Sequence, residues 1–172
     1  MITSDFYFLG SHNESKKENI IKFAKYAKAS KVNFIIKEIL SKLETRAFDY
    51  GCNNITFTEK TLTYRENLEN VKKSKVLVDF VIDVHHGLSL RTFEALGYNK
   101  KLITTNKTIK YYDLYNPNNI FILDNNFEEI DDFLAKPYII DEQIRSKYGF
   151  GNWIRYVLDI HLYETIKLPD IE

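Results

Sequence analysis

Apolar and polar positions change period several times along the chain, and each change marks an element. Residues 5–11, DFYFLGS, form a short aromatic run closed by Gly10, the pattern of a buried strand. Over residues 14–30, Ile20, Phe23, Ala24 and Ala27 recur at helical spacing with lysines between them, which predicts a helix. VNFIIKEIL (32–40) reads as a second strand whose end is blurred by Lys37 and Glu38. Gly51, Asp49, Asn53 and Asn54 predict a loop over 41–54, and NITFTEK (54–60) a third strand. TYRENLENVKKS then sets Tyr64, Leu68 and Val71 on one helical stripe, and KVLVDFVI (75–82) is the plainest strand of all.

The second half repeats the alternation. A helix beginning near Ser89 and stopping near Gly97 leads into a fifth strand at Leu102–Thr105. KTIKYYDLY (107–115) reads as a short helix, NIFILD (119–124) as a sixth strand and FEEIDDFLA (127–135) as a helix ended before Pro137. From Asn152, Trp153, Val157 and Ile160 line one face of a terminal amphipathic helix, which with its tail takes up residues 152–172. Strands alternating with helices require crossover connections and a mainly parallel sheet covered on both faces. The expected product is one doubly wound, Rossmann-like α/β domain of about six strands spanning residues 1–172.

Composition removes several classes of function. Lys+Arg and Asp+Glu both number 24, so no net positive charge favours nucleic acid or a membrane surface. The one cysteine, Cys52, excludes an intrachain disulfide framework and fits a reducing compartment. No apolar stretch approaches the roughly 18 residues of a membrane span, and the start lacks the layout of a secretory signal. Localisation is expected to be cytoplasmic, or at the inner face of the membrane. Gly10 stands alone where a dinucleotide fingerprint needs three glycines, and no acidic pair follows the first strand as in a phospho-receiver. His85 and His86 are adjacent and face opposite ways, while His12 and His161 lie far off, so no metal site is expected. Asp79 sits inside an apolar strand, where capping of neighbouring backbone is its simplest role.

In such a sheet, ligands bind in the crevice at the carboxyl ends of the strands. Ser89 is a good N-cap, which would leave the backbone N–H groups of Leu90, Arg91 and Thr92 pointing into that crevice as an anion site. Gly87 lets the backbone approach the anion, and Arg91 can add a charged fork. Glu94, one turn later, could accept from the vicinal hydroxyls of a ribose. A phosphate beside a ribose is part of a nucleotide. A solvated Arg–Glu pair on a helix surface accounts for the same two residues without any ligand.

HGLSLRTFEALGYNKKLITT resembles the donor-binding motif of GT-B glycosyltransferases. In that motif a glutamate precedes a Gly-rich loop, a second glutamate follows eight positions later, and an Ala-rich helix runs into a strand. Glu94 matches the second glutamate, Gly87 the glycine, Ala95 and Leu96 the helix, and Leu102-Ile103 the strand. His86 stands in place of the first glutamate, and Asn99 and Lys101 in place of a common glycine and proline. Residues 62–155 are similar to the carboxy-terminal halves of bacterial lipopolysaccharide and capsule glycosyltransferase-like proteins. The resemblance implies that Glu94 binds the donor's ribose and that Arg91 with the backbone of Ser89 to Thr92 holds the diphosphate; His86, a departure from the motif, could contact the donor's phosphate or sugar or be a solvated loop histidine. It implies further that Gly10, Ser11 and His12 approach the same phosphates, and that Thr58 to Lys60 flank the base. The ligand would be a nucleotide-diphosphate sugar acting as donor substrate, with no further cofactor. GT-B enzymes have a second, amino-terminal acceptor-binding domain, so this chain is expected to bind donor with little or no turnover. The apolar face of the last helix would be open to that domain or to a homodimer. The reading from a different class is a non-catalytic Rossmann-like interaction or regulatory module.

Overall fold

The computed structural model describes residues 1–82, 87–160, 162–166 and 169, with Leu40 described by its backbone alone. The six strands are β1 (Ser4–Ser11), β2 (Val32–Lys37), β3 (Ile55–Thr58), β4 (Ser74–Asp79), β5 (Lys101–Thr104) and β6 (Ile120–Ile122). They form one sheet in the order β3-β2-β1-β4-β5-β6, and every neighbouring pair is parallel. This is the doubly wound, Rossmann-like arrangement expected from the alternation.

Its handedness of connection explains where the helices lie. α1 (Glu14–Tyr26) covers one face, where Ile20, Phe23 and Ala24 meet Phe6, Phe8, Phe34 and Val78. After β3 the chain returns past β2 and β1 to reach β4, and its helix α3 (Tyr64–Lys73) lies on the opposite face. There Val71 joins Tyr7, Leu77 and Leu102, together with Ala95 of α4 (Leu90–Gly97). Both faces of β1 and β4 are therefore buried, which is why their sequences run apolar without alternation. The return of the sheet from β1 to β4 is the topological switch point. Loops that leave neighbouring strands in opposite directions open a crevice there.

Residues 41–54 correct the expected loop. They contain α2 (Leu43–Tyr50), closed by Gly51 at φ 57° in the left-handed region that favours glycine. Leu43, Ala47 and Tyr50 carry the helical spacing, but only Tyr50 is buried, so the apolar stripe is too thin to stand out. The second strand stops at Lys37, three residues early, where Glu38 turns its carboxylate to the N–H of Ile39 and to Arg46. The terminal helix is also shorter and begins earlier than expected. α6 (Glu142–Lys147) precedes it and α7 covers only Phe150–Val157, so Ile160 lies beyond the helix, after Asp159 at positive φ. Between β6 and these helices lies α5 (Ile130–Ala135), whose Ile130 and Phe133 complete the core over α1. Among the described residues no helix is long and apolar enough to cross a membrane.

Candidate functional site at the sheet switch point

The carboxyl ends of β4 and β5 are tied together by a run of side chains on Thr104, Thr105 and Asn106. Thr104 Oγ1 donates to Asp79 Oδ2 at 3.4 Å and accepts from the N–H of Asn106 at 3.1 Å. Thr105 Oγ1 accepts from the N–H of Val81, and its own N–H donates to the carbonyl of Asp79. Asn106 Nδ2 donates to the carbonyl of Gly87 at 3.1 Å. Three consecutive residues of β5 and the turn after it thus fix both ends of the loop leaving β4. These residues were legible in the sequence only as the end of an apolar strand.

Ser89 occupies the N-cap position of α4 in extended backbone, yet its side chain makes no cap bond. Its hydroxyl donates instead to Asp79 Oδ2 at 2.8 Å. The N–H of Thr92 bonds the Ser89 carbonyl. That removes Thr92 from the expected donors, and its side chain is buried as well. Among the described residues the amides of Leu90 and Arg91 have no acceptor, so the first turn of α4 is left uncapped at the positive end of the helix dipole. Leu90 itself is exposed. Gly87 has open space where a side chain would lie, with nothing within 4 Å. His86 lies outside the described residues, as do Asp83, Val84, His85 and His161.

Arg91 and Glu94 do not stand in the crevice as a free fork and a free acceptor. They pair with each other across one helical turn, and Glu94 is only 4% exposed. Glu94 Oε1 accepts from Asn67 Nδ2 of α3 at 2.7 Å, while Oε2 accepts from Arg91 Nη1. Asn67 Oδ1 accepts in turn from Arg91 Nη1 at 3.1 Å and from the hydroxyl of Tyr7 at 2.9 Å. The guanidinium lies over the Tyr7 ring, 5.2 Å from its centre. The result is a buried quartet linking β1, α3 and α4. Burial pushes the Glu94 carboxyl above its ordinary value against the pull of Arg91 and Asn67, and pushes the Tyr7 hydroxyl up as well. Asn67 was missed by the periodicity, which placed Tyr64, Leu68 and Val71 inward. In the structure Tyr64 is exposed and Asn67 is buried beside Val71. A polar residue one turn before a core valine was the available signal.

Across the switch point stands Lys16, in the first turn of α1. Its side chain is half-buried, and its amine makes no hydrogen bond or ion pair with any described residue. Burial lowers its amine below the ordinary lysine value, opposed by the nearby charge of Asp79. Burial raises the Asp79 carboxyl, opposed by Ser89, Arg91, Lys16 and Thr104 in that order. Lys16, Asp79 and the open amides of α4 therefore share one locus, and neither side chain had been marked as a ligand contact from sequence.

The other expected contacts are distributed more widely. Gly10 is required by its own strand: a Cβ there would meet the Phe8 ring at 2.7 Å, so the missing side chain makes room for an aromatic neighbour. Ser11 ends β1 in an exposed position beside Lys37. His12 turns away towards α2, with Nδ1 3.1 Å from the Tyr50 hydroxyl and Nε2 3.0 Å from Glu14. Arg46 completes that side cluster through Glu38, Glu14 and Asp49. Thr58 Oγ1 accepts from the N–H of Lys60, and Lys60 pairs with Glu66 at 2.9 Å. Glu66 also closes the capping box of α3 with Thr63, so the segment after β3 is ordered into the helix that carries Asn67.

No protein-family model matches the sequence, and no characterised protein matches it by sequence. Solved structures do match its fold. The chain superposes with a TM-score of 0.51 and 16% identity on the C-terminal domain of a glycosyl transferase group 1 family protein (LpcC) from Francisella tularensis, covering 94% of this chain and 89% of that domain. The UDP-GlcNAc 2-epimerase of Methanocaldococcus jannaschii, in complex with UDP-GlcNAc and UDP, matches with a TM-score of 0.57 and 14% identity over 92% of this chain and 45% of that one. The N-terminal domain of trehalose-6-phosphate phosphatase from Candida albicans gives 0.56 and 12% over 92% and 42%. The chain thus spans less than half the length of the last two. What these likenesses establish is a shared Rossmann-like α/β fold, found in both a glycosyl transferase domain and a sugar-nucleotide epimerase.

Proposed function

We propose that this chain is a nucleotide-sugar donor-binding domain of glycosyltransferase type. The observation that carries the reading is the bond from Ser89 to Asp79. By spending its hydroxyl on the strand end, Ser89 leaves the first-turn amides of α4 uncapped at the switch point, opposite a lysine whose amine bonds to no described residue. Uncapped amides, a helix dipole and a half-buried ammonium are the ingredients of a diphosphate site.

In this proposal Leu90 and Arg91 supply backbone N–H donors and Lys16 supplies charge. Ser11 borders the phosphates from β1, and Thr58 with Lys60 flanks the base along the segment leading to α3. His86 keeps its proposed contact to phosphate or sugar. Arg91 and Glu94 serve as the buried brace that holds the start of α4 against β1 and α3, since both oxygens of Glu94 are already engaged. When the bond from the sugar to the diphosphate breaks, its electrons pass to the leaving phosphate oxygen. Preorganised amides and Lys16 stabilise that charge without reorganising. The acceptor hydroxyl and the base that removes its proton would come from an amino-terminal acceptor-binding domain, so the chain alone binds donor with little or no turnover. The resemblance of residues 62–155 to lipopolysaccharide and capsule glycosyltransferase-like proteins supports a surface-polysaccharide acceptor and a cytoplasmic site of action.

Thermal stabilisation tests the reading. Ligand present at a hundredfold over its Kd adds about 2.7 kcal/mol to stability, so one of UDP, GDP or CDP should raise the melting temperature. Inorganic phosphate at equal concentration should do far less.

A second reading, that of an interaction module, is favoured by one observation. Phe150 and Trp153 stack on α7 with ring centres 5.7 Å apart, and both are exposed, as are Tyr156, Val157 and Leu158. A contiguous apolar face of this kind marks a contact surface, here proposed for a second copy of the chain or the acceptor-binding domain.

A further inference from the structure

We infer that Asp79, not Glu94, is the carboxylate that accepts hydroxyl groups of the bound nucleotide. The inference rests on the donor-binding reading above and assigns the hydroxyl-recognising residue within that site.

A carboxylate that reads a hydroxyl needs one oxygen open to the ligand and a side chain that cannot swing away. Glu94 fails the first condition. Its Oε1 is taken by Asn67 and its Oε2 by Arg91, and it lies beneath the helix rather than at its mouth. Displacing either bond would leave a donor in the buried quartet, the Asn67 amide or the Arg91 guanidinium, without its acceptor. Asp79 meets both conditions. Oδ2 is held by two hydroxyl donors, Ser89 from the start of α4 and Thr104 from the end of β5. Oδ1 has no hydrogen bond to any described residue and is not fully enclosed among them. The backbone of Asp79 is pinned as well, through its carbonyl to the N–H of Thr105. The half-buried residue thus presents a single fixed acceptor at the carboxyl end of β4, beside the amides proposed to hold the diphosphate and near Lys16.

Asp79 also makes a charge choice that a purely anionic ligand would not favour. A carboxylate beside a phosphate site repels the phosphate, and burial already disfavours its charge. A hydroxyl donor on the ligand turns that cost into a charge-assisted hydrogen bond. The shared chemistry is a hydroxyl, from the ribose or from the transferred sugar.

The experiment is a thermodynamic cycle on the full chain. Binding of the tightest of UDP, GDP and CDP is measured by calorimetry for the wild type, Asp79→Asn and Glu94→Gln. Each protein is titrated with the ribonucleotide and with its 2′,3′-dideoxy form. Asparagine can keep an oxygen towards Ser89 and Thr104 while presenting an amide outward, so the fold is retained; melting curves check this. For ribose recognition, Asp79→Asn weakens the ribonucleotide about tenfold, leaves the dideoxy form unchanged or tighter, and Glu94→Gln shows no such coupling. If the coupling is absent with the free nucleotide but appears as a tenfold loss only with the matching nucleotide sugar, the hydroxyl belongs to the sugar and Asp79 keeps its role. Equal losses on both ligand forms with no sugar dependence, or coupling seen at Glu94 instead, overturn the inference while leaving donor binding intact. Failure of the wild type to bind any nucleotide or nucleotide sugar overturns the inference and the donor-binding reading together.

Discussion

Asn67 donates its side-chain amide to Glu94 Oε1 across 2.7 Å, joining α3 to α4 beneath the carboxyl edge of the sheet. Its oxygen simultaneously accepts from Tyr7 and Arg91, so every polar atom of the amide is used and its orientation is fixed. Asn67→Leu would strand a carboxylate, a guanidinium and a phenol in a site with little water. We expect a loss of about 2–3 kcal/mol, read as a lower urea midpoint with an unchanged m-value.

The Arg91–Glu94 pair is buried, so its members depend on each other more than the fold depends on the pair. Arg91→Met alone leaves Glu94 uncompensated and should cost about 3–5 kcal/mol. Adding Glu94→Leu should recover most of that loss, because two apolar side chains need no partner. A double-mutant cycle by chemical denaturation checks it; strictly additive losses would show that the two residues act separately.

Much of the fold was legible because the strands of a parallel sheet are buried on both faces and stand out as apolar runs. The six-stranded order of alternation and the helix after the fourth strand were readable on that basis. α2 was not, because Arg46 and Phe48 interrupt its stripe and it buries only Tyr50. The candidate site was legible in place but not in direction. Ser89 does begin a helix at the switch point, yet sequence cannot show that its hydroxyl prefers Asp79 to its own helix. Arg91 and Glu94 sit at a spacing that suits a ligand or each other, and the choice was made by Asn67, a residue on another helix.

The raised carboxyl of Asp79 gives a pH dependence of definite sign. Its folded pKa lies above its ordinary value of 3.8, so the folded state holds this proton more tightly than the unfolded chain. The stability linked to that proton is complete below about pH 3.8 and is lost as pH rises through the folded value. Asp79→Asn removes this loss. Its melting temperature should exceed that of the wild type at pH 7, and the gap should close as the pH falls below 4. A gap that is constant with pH would show that Asp79 is not buried as described.

The exposed face of α7 predicts self-association of the isolated chain. Light scattering after size exclusion should show a mass that rises with loading concentration. Phe150→Ser with Trp153→Ser should hold the protein monomeric at the same concentrations without lowering its stability by more than about 0.5 kcal/mol, as for surface changes generally. A wild type that stays monomeric at every concentration would assign that face to a different partner.

If Lys16 and the uncapped amides of α4 form a diphosphate site, nucleotide affinity depends on the lysine. Calorimetric titration of UDP, GDP and CDP into the wild type and Lys16→Ala tests it most directly. We expect saturable binding of at least one of the three, weakened about tenfold or more in Lys16→Ala and with an unchanged melting temperature for the free variant. No saturable heat with any of the three, or equal affinity with and without the lysine, would contradict it.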